Sequence, residues 1–315
     1  MSHHEEILVI KHGALGDVII ATAMFAAIRG HHPLARIVCL TTKPYAELLS
    51  QSPYFDEIWV DSKPRITQRK ALKRLKSRLN SVKWDFVYDV QTSQRSSSYW
   101  WLFKRPRPFF SGIAKFASHR YKDKARHGRH ALDNYRRQLK IAGIDHVGLP
   151  DLRWLNAEVR GLVPDVAYVL IVAGGAAHRP DKRWPAEQYA ALASELAAKK
   201  LIPVLIGGKA EANALHMIAE RVPHAINLCG NTTIAQLAVL ARGAFMAVGN
   251  DTGPMHVIAA SRCPSVVLFS KASNPKKSAP AGEHVHCIQR TSLQDLSVDE
   301  VLTVIHGLRP LDTNP

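Results

Sequence analysis

Short apolar runs alternate with helical stretches along this chain, and they do so twice. That alternation limits the fold more than any other feature. In the first half, "EEILVIK", "ARIVCLTT", "FDEIWVD" and "KWDFVYDVQ" read as strands. Helices fall between them at Val18 to Gly30, at "PYAELLSQS" and from about Thr67 to Leu79. The apolar runs are continuous rather than interleaved with polar residues, as in strands covered on both faces. Parallel strands joined by helices give that arrangement. Beyond "KWDFVYDVQ" the pattern blurs through an aromatic and basic stretch, then recovers in the helix "HALDNYRRQLKIAGI".

Around "LPDLRWLNAEVRGLVPD" the pattern resets, and Pro150 and Pro164 mark a linker. Strands then recur at "VAYVLIVAGG", "LIPVLIGG", "AFMAVGN" and "PSVVLFS", with helices between them. The expected fold is α/β, with one Rossmann-like domain over 1–160 and a second over 161–315. The final helix, "SVDEVLTVIHGL", is free in this scheme to pack back on the first domain. A chain of 315 residues that is 46% hydrophobic can bury two such cores. Ligands of open α/β sheets bind beyond the carboxyl ends of the strands, so the expected site is a cleft that the two domains share.

No apolar run approaches the roughly 20 residues that span a bilayer. Met1 to Glu6 is polar and acidic, unlike a secretory leader. The chain reads as soluble and cytoplasmic. Cys39, Cys229, Cys263 and Cys287 are far apart and form no CxxC pair, which suits free thiols rather than a zinc site or a disulfide framework.

Charge narrows the partners. Residues 1–150 carry 26 Lys and Arg against 12 Asp and Glu, whereas residues 151–315 carry 16 against 14. Such asymmetry points the first half toward something anionic: nucleic acid, a membrane face or a phosphorylated substrate. Residues 63–83 hold nine Lys and Arg and no acid, with Leu72, Leu75 and Leu79 at helical spacing. Residues 99–130 add nine more, with eight aromatic residues among them. Basic and aromatic residues together suit an anionic membrane interface. Solvated surface and nucleic-acid contact are the alternatives.

Three glycine-bearing strand ends carry the chemistry of the second half. In "VGNDTGPMHVIAA" a strand ends at Val248 and a helix starts near Pro254. The free N–H groups and dipole of that helix start make an anion site, with Thr252 and His256 within reach. A helix capped by Asp251 or Thr252, without a ligand, is the plainer alternative. In "VAGGAAHRPDKRWP" glycines precede a loop bearing His178, Arg179, Lys182 and Arg183, which suits a pyrophosphate or an exposed basic loop. "IGGKAE" places Glu211 to accept from ribose hydroxyls, or simply at a helix start. Together they favour a nucleotide-diphosphate pocket. The opening loop, "KHGALGDVII", has neither GxGxxG nor a Walker lysine. Gly13 and Gly16 permit a tight turn and close approach of a substrate. Asp17 falls near a helix start, as a cap or as a general base.

These segments together resemble glycosyltransferase family 9, the ADP-heptose:lipopolysaccharide heptosyltransferases. The resemblance runs through "ILVIKHGALGDVIIATAM", "HALDNYRRQLKIAGI", "DKRWPAEQYAALASEL" and "VGNDTGPMHVIAA". It implies a GT-B architecture of two Rossmann-like domains, the first taking the acceptor and the second the nucleotide sugar. It implies that Asp17 is the catalytic base and that Lys182 contacts the donor diphosphate. Gly175, His178, Arg179, Asp251, Thr252, Gly253 and His256 would line the donor site, with Glu211 near the nucleoside and Gly13 and Gly16 toward the acceptor. The family inverts the anomeric centre and needs no metal or other cofactor. Its acceptor is the anionic inner core of lipopolysaccharide at the cytoplasmic face of the inner membrane, in keeping with the basic first half and with peripheral membrane contact. Two departures stand out: Lys11 occupies a position where the family often has arginine, and alanines replace hydroxyl residues after Gly175. A transferase using a UDP- or GDP-sugar, or another glycan acceptor, is the competing enzyme reading. A basic nucleic-acid-binding protein is the competing reading of another class.

Overall fold

The computed structural model describes residues 4–175 and 180–308. Contacts divide the chain into two units, Met1–Pro150 and Asp151–Pro315. The boundary therefore lies at Pro150 and not at 160. The expected linker belongs to the second unit: the Leu152 amide donates to Ala260 O at 3.1 Å, and Arg242 donates to Leu152 O at 3.2 Å and to Leu155 O at 2.7 Å.

The first unit contains β1 (Glu6–Ile10), α1 (Leu15–His31), β2 (Arg36–Thr41), α2 (Lys43–Ser50), β3 (Glu57–Val60) and α3 (Arg69–Leu79). It continues through β4 (Phe86–Asp89), α4 (Gln94–Ser98), β5 (Phe109–Gly112), β6 (His119–Arg120) and α5 (Ala131–Ile141). Its sheet runs β3-β2-β1-β4-β5-β6, parallel throughout. Four of the five β1 residues are buried, as a central strand covered on both faces requires. In the basic helix α3 only Leu75 and Leu79 are buried, so the cations stay in solvent. β5 and β6 are the strands that the aromatic stretch obscured.

The second unit contains β7 (Tyr168–Val172), α6 (Ala186–Ala198), β8 (Ile202–Leu205), α7 (Ala212–Arg221), β9 (Ile226–Asn227) and α8 (Ile234–Gly243). It continues through β10 (Met246–Asn250), α9 (Gly253–Ala260), β11 (Ser265–Phe269), α10 (Pro275–Ser278), β12 (Val285–Gln289) and α11 (Val298–Leu308). Its sheet order, β12-β11-β10-β7-β8-β9, repeats the topology of the first. Each sheet reverses order beside its first strand, the place where such sheets bind ligands. In the last helix, Val301 and Ile305 of α11 enter the second core, against α6 and β11. No helix among the described residues is long and apolar enough to cross a membrane.

Register brings the strand ends together. Val172 of β7 pairs with Gly249 of β10, and Asn250 pairs with Leu268 of β11. Gly249 is needed there for space. A Cβ on it would lie 2.7 Å from Val172 Cβ and 3.0 Å from Val172 O. Gly249→Ala is expected to destabilise the protein by about 1–3 kcal/mol through overpacking, read as a lower midpoint in thermal or urea unfolding.

Candidate active site

The second unit gathers its polar residues where β7, β8 and β10 end. Lys182 and Asp251 meet directly, Nζ to Oδ2 at 2.7 Å, with side chains only 14% and 8% exposed. Arg183 donates from Nη2 to Gly175 O at 2.5 Å. Its Nε is buried with no partner among the described residues. Asn250 is fully buried, accepts from the Trp184 amide at 3.1 Å and donates to Gly174 O at 2.8 Å. That one side chain ties the end of β10 to the loop after β7 and to the segment entering α6. Trp184 is itself buried, with its indole donating to Leu296 O.

Helix α9 begins at Gly253, with Thr252 as N-cap residue and Pro254 in the first turn. Neither side chain named for a capping role provides it. Asp251 is occupied by Lys182, and Thr252 makes no side-chain cap bond. Thr252 Oγ1 is buried with no partner among the described residues. A buried hydroxyl left unbonded is costly, and the N–H groups of the first helical turn have no intrahelical acceptors. His256, one turn into α9, is buried. Gly253 supplies the first helical residue.

Glu211 lies over the end of β7: a Cβ on Gly174 would come within 2.7 Å of Glu211 Cγ. Its Oε2 accepts from the Gly208 amide at 2.9 Å, so one carboxylate oxygen already serves the local turn. Lys182, Gly175, Asp251, Thr252, Gly253, His256 and Glu211 therefore all lie at or beside the ends of three neighbouring strands. His178 and Arg179, also expected there, lie outside the described residues.

In the first unit α1 begins at Leu15, three residues earlier than expected, which puts Gly16 and Asp17 in the first helical turn. Asp17 is exposed, and its Oδ2 accepts a long bond of 3.4 Å from the Ala14 amide. Gly13 has φ +135°, and a Cβ there would meet Tyr45 Cε2 at 2.7 Å. Only glycine allows this loop and this tyrosine together. Burial, then the charge of Asp17, push the Tyr45 hydroxyl above its ordinary pKa.

Lys11, noted in the sequence only as a departure from the family, and residues not singled out there hold this loop. Lys11, 2% exposed, donates from Nζ to Tyr135 Oη at 2.8 Å, and Tyr135 Oη lies 3.5 Å from Asp17 O. Lys11 has no carboxylate partner among the described residues. The His12 amide donates to Gln91 Oε1, its carbonyl accepts from Thr42 Oγ1, and its Nε2 lies 2.9 Å from Asp61 Oδ2. Burial drives the Asp61 carboxyl upward. The His12 ring, the Tyr99 hydroxyl and the Lys63 amide outweigh it and hold the group below its usual range. The only signal in the sequence was that polar residues follow each apolar run at once.

A half-buried lysine paired with Asp251, an arginine with an enclosed Nε and a helix N-terminus lie together at glycine-bearing ends of a parallel sheet, a set of donors chemically suited to an anion. The chain belongs to glycosyltransferase family 9 (heptosyltransferase), whose model matches residues 72–301. That match excludes the Asp17 loop. A glycosyl transferase family 9 structure from Veillonella parvula superposes with a TM-score of 0.84 at 23% identity, covering 96% of this chain and 97% of that one. The E. coli ADP-heptose lps heptosyltransferase II superposes with a TM-score of 0.76 at 22% identity, over 96% of this chain and 98% of that one. Lipopolysaccharide heptosyltransferase 2 of Salmonella typhimurium is 30% identical over 156 residues, 42% of this chain and 44% of that protein. The chain thus matches less than half the length of this curated relative.

Two substitutions separate structural from binding roles. Lys182→Met removes the partner of a nearly buried carboxylate and should cost the ligand-free protein about 1–3 kcal/mol; adding Asp251→Asn should recover part of it. Thr252→Val removes a hydroxyl that bonds nothing among the described residues, at an extended position that suits a β-branched residue, and should change ligand-free stability by less than about 0.5 kcal/mol. Urea unfolding of the three variants measures both effects.

Proposed function

We propose that this chain is an inverting glycosyltransferase that moves a heptose from ADP-heptose to the inner core of lipopolysaccharide. The observation that carries the proposal is the cradle at Lys182, Asp251 and the start of α9 in a chain of this family. The donor and acceptor follow the activities named for its relatives. Lys182 and the α9 N-terminus hold the diphosphate and stabilise the charge that grows on it as the glycosidic bond breaks. Thr252, Gly253, His256 and Gly175 complete the phosphate and sugar contacts, with His178 and Arg179 from the neighbouring loop. Glu211 takes the ribose with the carboxylate oxygen that the Gly208 turn leaves open.

Asp17 accepts the proton of an acceptor hydroxyl as that oxygen attacks the anomeric carbon opposite the departing ADP. Support for that role comes from its exposure and its single long hydrogen bond. A carboxylate engaged so weakly is available as a base. Gly13 and Gly16 leave room for the acceptor sugar beside it. The reaction in this scheme uses no metal ion. The basic first unit suits an anionic acceptor and contact with the anionic cytoplasmic face of a membrane.

Asp17→Asn is expected to lower transfer by about 100- to 10,000-fold while ADP binding stays nearly unchanged. Single-turnover release of ADP from ADP-heptose, with a Kdo–lipid A acceptor, reads the first effect. The thermal shift with ADP reads the second. A variant that retains more than about a tenth of wild-type transfer would remove Asp17 from the role of base. In the same thermal assay on the unmodified protein, ADP at about 100 times its Kd should stabilise the free protein by roughly 2.7 kcal/mol, and UDP or GDP at the same concentration by less.

A further inference from the structure

Three aromatic side chains of the first unit form a cluster that runs from the edge of its core, where Trp100 is half-buried, out to the surface at Trp101 and Phe116. Trp100 and Trp101 meet edge to face with ring centroids 4.8 Å apart, and Phe116 closes the triangle at 5.5 and 5.6 Å. Trp101 is 59% and Phe116 53% exposed, whereas Trp59, Trp84 and Trp184 are all at 5% or less. A cavity of about 310 Å³ opens among Trp100, Trp101, Ile113 and Phe116.

Cations frame the cluster. The Arg107 guanidinium lies 4.1 Å from the Trp100 ring centroid and 5.7 Å from that of Trp101, and the Lys115 ammonium is 5.4 Å from the Phe116 centroid. Lys104 and Arg105 beside them are exposed. Residues 90–122 contain seven Lys and Arg and no Asp or Glu. The basic helix α3 is fastened to the same region. Asn80, just past its end, donates to Leu102 O at 2.9 Å and accepts from the Lys104 amide at 2.7 Å.

Exposed apolar clusters of this kind mark surfaces that something else covers. Tryptophan and phenylalanine flanked by arginine and lysine match the head-group region of a bilayer, where the rings sit among lipid chains and the cations among phosphates. Single-stranded nucleic acid fits less well, because base stacking needs an open aromatic face. Here Arg107 covers Trp100, and the two indoles stand at 89°. We infer that Trp100, Trp101 and Phe116, with Lys104, Arg105, Arg107 and Lys115, dock this protein on an anionic phospholipid bilayer. This surface gives a place to the membrane contact proposed above, on which it rests, and it requires no particular sugar or nucleotide.

The test uses the full chain and acceptor-free vesicles, either of phosphatidylcholine alone or with one-third phosphatidylglycerol. Co-sedimentation should be at least about tenfold stronger with the anionic vesicles and should weaken in high salt. Lys104→Gln with Arg105→Gln should reduce it about tenfold or more, and Trp101→Ala with Phe116→Ala by about tenfold. Far-UV circular dichroism checks that the variants fold; the paired glutamine variant, at two exposed positions, still decides if the aromatic one does not. Equal binding to both vesicle types, or unchanged binding by a folded variant of either pair, overturns the inference. So does binding that appears only when a Kdo–lipid A acceptor is added, because the surface would then serve the acceptor alone. ADP release from ADP-heptose in detergent-solubilised acceptor follows the proposed reaction separately, so either idea can fail without the other.

Discussion

The second unit depends on one buried amide. Asn250 ends a parallel strand, at a point where backbone groups would otherwise face an apolar interior. Its two side-chain bonds, to the Trp184 amide and to Gly174 O, close the space between β10, β7 and the approach to α6. Lys182 precedes the clamped tryptophan by two residues, and Asp251 follows the asparagine directly. The ion pair is thus held at both ends by backbone that this amide fixes. Buried amides that use donor and acceptor together restrict geometry strongly, since either bond lost leaves an unpaired polar group.

The two units share a topology and use their strand ends differently. In the first, Lys11 bonds Tyr135, the His12 backbone bonds Gln91 and Thr42, and Asp61 bonds His12, Tyr99 and Lys63, while Thr41 Oγ1 and Gln138 Oε1 are buried with no partner among the described residues. In the second, Thr252 Oγ1 and Arg183 Nε are enclosed and unbonded among the described residues. The first unit holds an exposed carboxylate at Asp17, and the second holds donors at Lys182, Arg183 and Thr252.

Much of the fold was legible because parallel strands buried on both faces leave continuous apolar runs. "EILVI", "YVLIV" and "SVVLF" could hardly be anything else. β6 and β9 could not be seen, since two residues each are too few to set a period. β5 and β12 were hidden by mixed composition, and the linker was misjudged because prolines mark irregular backbone whether or not it is packed. Of the candidate site, the glycines and the charged residues were legible by type and spacing. The Lys182–Asp251 pair was not, because 69 residues separate its members and only register brings them together. Asn250 and His12 escaped notice, and Lys11 was noted only as a departure from the family, for the same reason: their roles come from what faces them across the sheet.

The Lys182–Asp251 pair also bears on turnover. A lysine waiting alone for a diphosphate would bind it with all of its unspent charge and would be slow to give it up. Here the ammonium is already engaged by a carboxylate 2.7 Å away, so an incoming phosphate gains only the difference between two partners. In the proposed reaction Asp251 would then be in place to take the lysine back, a resident competitor that trades affinity for the product against the speed at which the product leaves.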